Sequence, residues 1–157
     1  MKIKSLFVGL AAALIATASF AGRGSDGNVS IIYWQAPSIL NPYLSSGTKD
    51  IESSSMIIEP LGRYTETGAL VPYLAEEIPT VENGGVSSDL MSITWKLKKG
   101  LKWSDGSAVT SADVKFTADY CMDPEGGCAQ LAKFDGVTSV STPDDRTIVV
   151  KFSAPKP

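Results

Sequence analysis

Met91, Ile93, Trp95 and Leu97 alternate with Ser92, Thr94, Lys96 and Lys98. Side chains of a strand point alternately to its two faces, so this run buries one face and wets the other. Any fold available to the chain must therefore contain a sheet with a core on one side. The residues after this run suit such a sheet. Trp103-Ser104-Asp105-Gly106 reads as a turn. Thr110-Ser111-Ala112-Asp113 opens a helix as a capping-box variant, with Asp in place of the usual Glu. Val114, Thr117 or Ala118, and Cys121 form its buried stripe. Gly136–Ser141 and Thr147–Phe152 pair as a hairpin around Pro143-Asp144-Asp145.

Upstream, Val29–Trp34 is β-rich and fits a buried strand. Pro37 and Pro42 then force a loop. Ile51, Ile58 and Leu61 recur at helical spacing from Thr48, with Asp50 and Glu52 near the helix start and Pro60 at its end. Arg63–Val71 reads as two short strands about Gly68, Pro72–Glu77 as one helical turn, and Asn83-Gly84-Gly85 as a turn. The pattern is mixed α/β with hairpins. It lacks the regular strand–helix alternation of a doubly wound nucleotide fold.

The first residues are an address. Met1–Ser5 is short and positive, Leu6–Ala16 is apolar or small, and Ala18 and Ala21 set small residues for cleavage after Ala21. The apolar run falls well below the roughly 20 residues that span a bilayer. Residues 1–21 are thus expected to be a signal peptide, and 22–28 a flexible, glycine-rich new N-terminus. No Cys near the cleavage site offers a lipid anchor. Export implies an oxidising compartment.

Composition closes several routes. The 157 residues include no His, which excludes Ser-His-Asp and Cys-His machinery and any His metal ligand. The net charge of −3 argues against nucleic acid as partner. Gly22-Arg23-Gly24-Ser25-Asp26-Gly27 matches G-x-G-x-x-G, but no strand precedes it and no helix follows it. Asn28-Val29-Ser30 is a glycosylation sequon, relevant only in a cell with that machinery. No Ser sits in a nucleophile elbow. Glu76-Glu77 and Asp144-Asp145 are adjacent in sequence, which is wrong for paired acid–base work. Lys96, Lys98, Lys99 and Lys102 read as a solvated edge, with docking to a membrane partner as the functional alternative. No cofactor and no metal site is expected.

Cys121 and Cys128 are the only cysteines, and a turn-forming segment separates them. In an exported chain they read as a disulfide, with free thiols as the alternative. Closing so short a loop would contribute about 2.5 kcal/mol on the chain-entropy account.

Three stretches together carry a family resemblance. They are Leu40-Asn41-Pro42-Tyr43; Ile58-Glu59-Pro60-Leu61 with Gly68–Glu76; and Ile93–Gly106 followed by Thr110–Val114. In this order and spacing they resemble the extracytoplasmic solute-binding proteins of family 5, the oligopeptide- and dipeptide-binding components of ABC importers. Ser111 stands where many members carry Ala or another small residue, and only some members have a cysteine pair.

The resemblance implies an α/β, periplasmic-binding-protein-like (class II) fold of two hinged lobes. Residues 29–157 would be the N-terminal part of the first lobe, and Pro155-Lys156-Pro157 would run on as a linker. It implies a monomeric, periplasmic, non-enzymatic carrier that captures peptides between its lobes and delivers them to the membrane permease. Other solutes of the family are nickel complexes, opines and oligosaccharides. A stand-alone small exported interaction domain is the remaining alternative. Ser46, Gly47 and Thr48 match the family loop that faces the cleft, where Gly47 would let a ligand backbone approach. The competing reading makes this a plain helix-capping loop with Thr48 as N-cap. Trp95 and Trp103 are expected to pack structurally, not to form a ligand platform.

Overall fold

The computed structural model describes residues 27–28 and 30–156. The expected signal peptide and most of the flexible N-terminus lie outside them. Tyr33–Pro157 forms one compact unit; of the unit before it, Gly27, Asn28 and Ser30–Ile32 are described.

In chain order the elements are α1 (Thr48–Ser54), β1 (Gly62–Tyr64), β2 (Leu70–Pro72), β3 (Ser92–Lys96), α2 (Ser111–Met122), a 3₁₀ turn at Leu131–Phe134, β4 (Val137–Asp144) and β5 (Thr147–Phe152). β1 and β2 form an antiparallel hairpin with Arg63 opposite Val71. Gly68 turns it with φ at 81°, a value that suits glycine. The other sheet is antiparallel in the order β3-β5-β4, with Trp95 opposite Ile148 and Val140 opposite Val150.

The period-two run forms β3 as expected, and Leu97 at its end is fully buried. Leu97, Ala118, Val140 and Ile148 make the core, with Trp95, Leu101, Val114 and Phe134 packed against them. α2 lies on this core through the expected stripe. Its start is fixed locally: the Asp113 carboxylate accepts from the Thr110 N–H at 2.7 Å and from the Thr110 hydroxyl at 3.2 Å. Its start is also fixed to the sheet. Ser111 is buried, its N–H donates to the Asp145 carbonyl at 2.8 Å, and its hydroxyl donates to that of Asp144 at 2.5 Å.

Three expectations fail, each for a physical reason. Val29–Trp34 has the composition of a buried strand, yet Ser30–Trp34 forms none, Ile32 is 100% exposed, and Ile31 and Trp34 are also exposed. A strand needs a ladder partner, and no described strand pairs with this segment. α1 stops at Ser54, well short of Pro60. The Ser54 hydroxyl donates to the Ile51 carbonyl at 2.8 Å and the Ser55 hydroxyl to that of Glu52 at 2.6 Å. Serine side chains that compete for helix carbonyls weaken the helix they sit in. Pro72–Glu77 forms no helical turn, because its backbone groups go to neighbours. Ala75 N–H donates to Leu61 at 3.0 Å, Glu76 N–H donates to Lys96 at 2.7 Å, and Leu74 accepts from Lys98 at 2.9 Å.

Candidate functional site

The loop before α1 is built around one carboxylate. Asp50 is 3% exposed. One of its oxygens accepts from the Ser38 N–H at 2.6 Å and from the Lys49 ammonium at 2.9 Å. The other accepts from the Ser45 hydroxyl at 2.7 Å. The Ser45 oxygen in turn accepts from the Gly47 N–H at 3.0 Å. The Lys49 ammonium, the Ser45 hydroxyl and the Ser38 N–H hold the Asp50 carboxyl well below the usual carboxylate range. Lys49 also donates to the Ser38 hydroxyl.

Local turn chemistry sets the other end. Asn41 accepts at its side chain from Tyr43 N–H at 2.9 Å and at its carbonyl from Leu44 N–H at 3.1 Å. Tyr43 is half-buried, and burial raises its phenol above the ordinary value.

Ser46 and Thr48 are exposed and Gly47 is half-buried. Gly47, not Thr48, is the N-cap of α1, which corrects the capping alternative. Thr48 is the first helical residue. The Gly47 carbonyl accepts from the N–H groups of Asp50 and Ile51, at 3.0 and 3.1 Å. A Cβ on Gly47 would meet Ser45 Oγ at 3.4 Å and Asp50 Oδ2 at 3.5 Å, ordinary contact distances. Ser46 and Gly47 thus lead directly into α1 at Thr48, and the side chains of Ser46 and Thr48 are exposed. No hydrogen bond to the Ser46 or Thr48 hydroxyl is present among the described residues.

A distant segment closes the loop from below. Cys121 at the end of α2 is joined to Cys128, with an S–S distance of 2.01 Å. Both are buried. The ring closes on two glycines: Gly127 has φ at 71°, and a Cβ on Gly126 would sit 2.7 Å from the Tyr120 carbonyl oxygen. Next, Ala129 N–H donates to the Tyr43 carbonyl at 2.8 Å. The Gln130 side-chain amide donates to the carbonyls of Pro42 at 3.2 Å and Ser45 at 3.0 Å. Sequence reasoning missed Gln130, and it gave Asp50 only a helix-terminus role. Gln130 has no local signal, since its partners lie 85 and 88 positions away, while Asp50 is masked by an ordinary helix-start pattern.

Two other features of the described residues were candidates for a site. A cavity of about 420 Å³ is lined by Tyr43, Ile58, Leu61, Leu74, Trp95 and Trp103 among others. Trp95 is half-buried against the core, as expected, while Trp103 is exposed. The walls are largely the side chains that pack on Leu97 and Ile148, so this is open space over the core. Lys96, Lys98, Lys99 and Lys102 are all exposed. Among the described residues no cluster of three or more potential metal ligands occurs.

The profile of the bacterial extracellular solute-binding proteins, family 5 Middle, matches residues 69–157. The chain belongs to this family. An ABC transporter peptide-binding protein of Brucella ovis is 39% identical over 72 residues, which is 46% of this chain. The chain spans 14% of that protein's length. Among solved family 5 structures, AgaA of A. tumefaciens in complex with agropinic acid superposes with a TM-score of 0.67 at 31% identity, over 76% of this chain and 23% of that one. Haemophilus influenzae OppA in complex with the peptide RPPGFSPFR superposes at 0.69 and 24% identity, over 78% and 26%. The second shows the fold alone. The periplasmic-binding-protein-like α/β architecture expected from the sequence is therefore the observed one.

Proposed function

We propose that this chain is part of a periplasmic substrate-binding protein of an ABC importer, which captures peptides in a cleft and delivers them to the membrane permease. The family match over residues 69–157 carries this reading. The peptide-binding name of the Brucella relative supports peptide as solute. The protein is a carrier and not an enzyme: it binds solute reversibly, as a monomer, and needs no cofactor. It is exported by residues 1–21, with cleavage near Ala21. Residues 29–157 supply the N-terminal part of one lobe, and the rest of the cleft lies outside them. Residues 22–157 alone are accordingly expected to bind no peptide tightly.

Within this part, Ser46, Gly47 and Thr48 contact the solute. Exposure of two hydroxyl side chains beside a half-buried glycine suits recognition of a ligand main chain. Main-chain recognition gives affinity without selecting one side chain. The AgaA likeness, at 31% identity, favours a second reading in which the solute is an opine.

The test is isothermal titration of the full-length protein with trialanine, agropinic acid and nickel–histidine in turn. Saturable one-to-one binding of trialanine without turnover supports the peptide reading. Binding of agropinic acid alone replaces it with the opine reading. Hydrolysis of any solute refutes the carrier role.

A further inference from the structure

We propose that Gln130 is a positioning residue for the loop at Ser46–Thr48, and that the Cys121–Cys128 disulfide sets it in place. The inference rests on the reading of this loop as solute-contacting.

The bonds that hold the loop divide into two sets. Asp50 takes donors, namely the N–H groups of Ser38 and Ile39, the hydroxyl of Ser45 and the ammonium of Lys49. The segment after Cys128 takes acceptors, namely the carbonyls of Pro42, Tyr43 and Ser45. Ser45 is held in both sets. Ser46–Thr48, immediately after it, receives nothing from Gln130 and stays open at its hydroxyls. A side-chain amide has two N–H donors, and those of Gln130 are aimed at two loop carbonyls.

The disulfide gives this clip its anchor. Gln130 follows Cys128 by two residues, and Cys128 is bonded to the buried end of α2. The glycines of the intervening turn let the chain reverse. The loop is therefore tied to the core helix through a covalent ring and three hydrogen bonds. A loop fixed before ligand arrives does not lose that freedom on binding, so its order appears as affinity.

The test uses the full-length protein and three variants: Gln130→Met, which keeps length without a donor; Gln130→Lys, which keeps a donor; and Cys121→Ser with Cys128→Ser together. Amide hydrogen exchange is read at residues 42–48, alongside the melting temperature and trialanine affinity. Loss of both bonds is expected to speed exchange across the loop in Gln130→Met by about tenfold, with a comparable loss of trialanine affinity. Gln130→Lys restores most of both, and the double serine variant behaves like Gln130→Met. Unchanged exchange in Gln130→Met overturns the positioning role. So does equal impairment of the Met and Lys variants, which would mean that packing and not donation matters. Faster exchange with unaltered affinity overturns the link to ligand and the loop reading with it. A wild-type protein that binds no trialanine counts against peptide as solute, and the exchange comparison then decides the positioning role alone.

Discussion

The Asp50 carboxylate accepts a hydrogen bond from the Ser38 N–H, 2.6 Å away and 12 positions earlier in the chain. This bond joins the extended entry segment to the first turn of α1. Asp50→Ala would leave that N–H and the Ser45 hydroxyl without their acceptor. The expected result is a lower melting temperature and faster amide exchange at residues 38–47. Asp50→Asn should also lower it, since an amide offers one acceptor where the carboxylate offers two. A melting temperature unchanged in both variants would show that the loop holds its shape without this carboxylate.

Acid should unfold the protein through the same group. The Asp50 carboxyl is held far below its ordinary range, so it stays ionised in the folded state where the unfolded chain takes up a proton. A depressed carboxyl stabilises fully above the unfolded value, about 3.9, and its contribution fades as pH falls below it. Hydrogen bonds from Ser87 to Asp89, from Ser107 to Asp105, and from the Arg146 N–H to Asp144 lower those carboxyls in the same direction. Melting temperature should therefore hold above about pH 5, begin to fall near about pH 4 and keep falling as the pH drops further. The fall should be shallower in Asp50→Asn. An equal fall in that variant would place the acid sensitivity elsewhere.

The core can be tested at Ile148, which is 1% exposed and sits among Leu97, Ala118 and Val140. Ile148→Ala should cost about 2–5 kcal/mol by urea unfolding. Phe116 is the contrast, since it projects from α2 with 73% of its surface exposed. Phe116→Ala should stay within about 0.5 kcal/mol. Similar losses at both positions would contradict the packing described.

Gly126 makes a sharper test of the disulfide ring. An alanine methyl there would lie 2.7 Å from the Tyr120 carbonyl and 3.2 Å from that of Asp123. Gly126→Ala should destabilise by about 1–3 kcal/mol, because both obstructing atoms belong to backbone. A variant as stable as the wild type would mean that the turn can open without loss.

The elements legible in the sequence are those written locally. The alternation at Met91–Leu97, the Thr110–Asp113 cap and the hairpin signal near Asp145 each lie within a few residues, although Pro143 and Asp144 belong to β4 and the turn itself is Asp145-Arg146. β3, α2 and the β4–β5 hairpin form from them. Where the outcome depends on a distant partner, local patterns mislead. Val29–Trp34 has strand composition but no described neighbour to pair with. Pro72–Glu77 gives its amides to Leu61 and Lys96 and so cannot coil. The candidate loop is visible as a stretch, Ser46–Thr48, while the residues that shape it, Asp50 and Gln130, are not. One is hidden by an ordinary helix-start pattern. The other reaches the loop across more than 80 residues, and nothing near it in sequence reveals that.

The proposed solute site at Ser46–Thr48 is tested most directly by amide hydrogen exchange of the full-length protein with and without saturating trialanine. The expected result is strong protection of residues 45–48 on binding, with little change across the exposed face of α2. Binding that protects other segments and leaves residues 45–48 unchanged would contradict it.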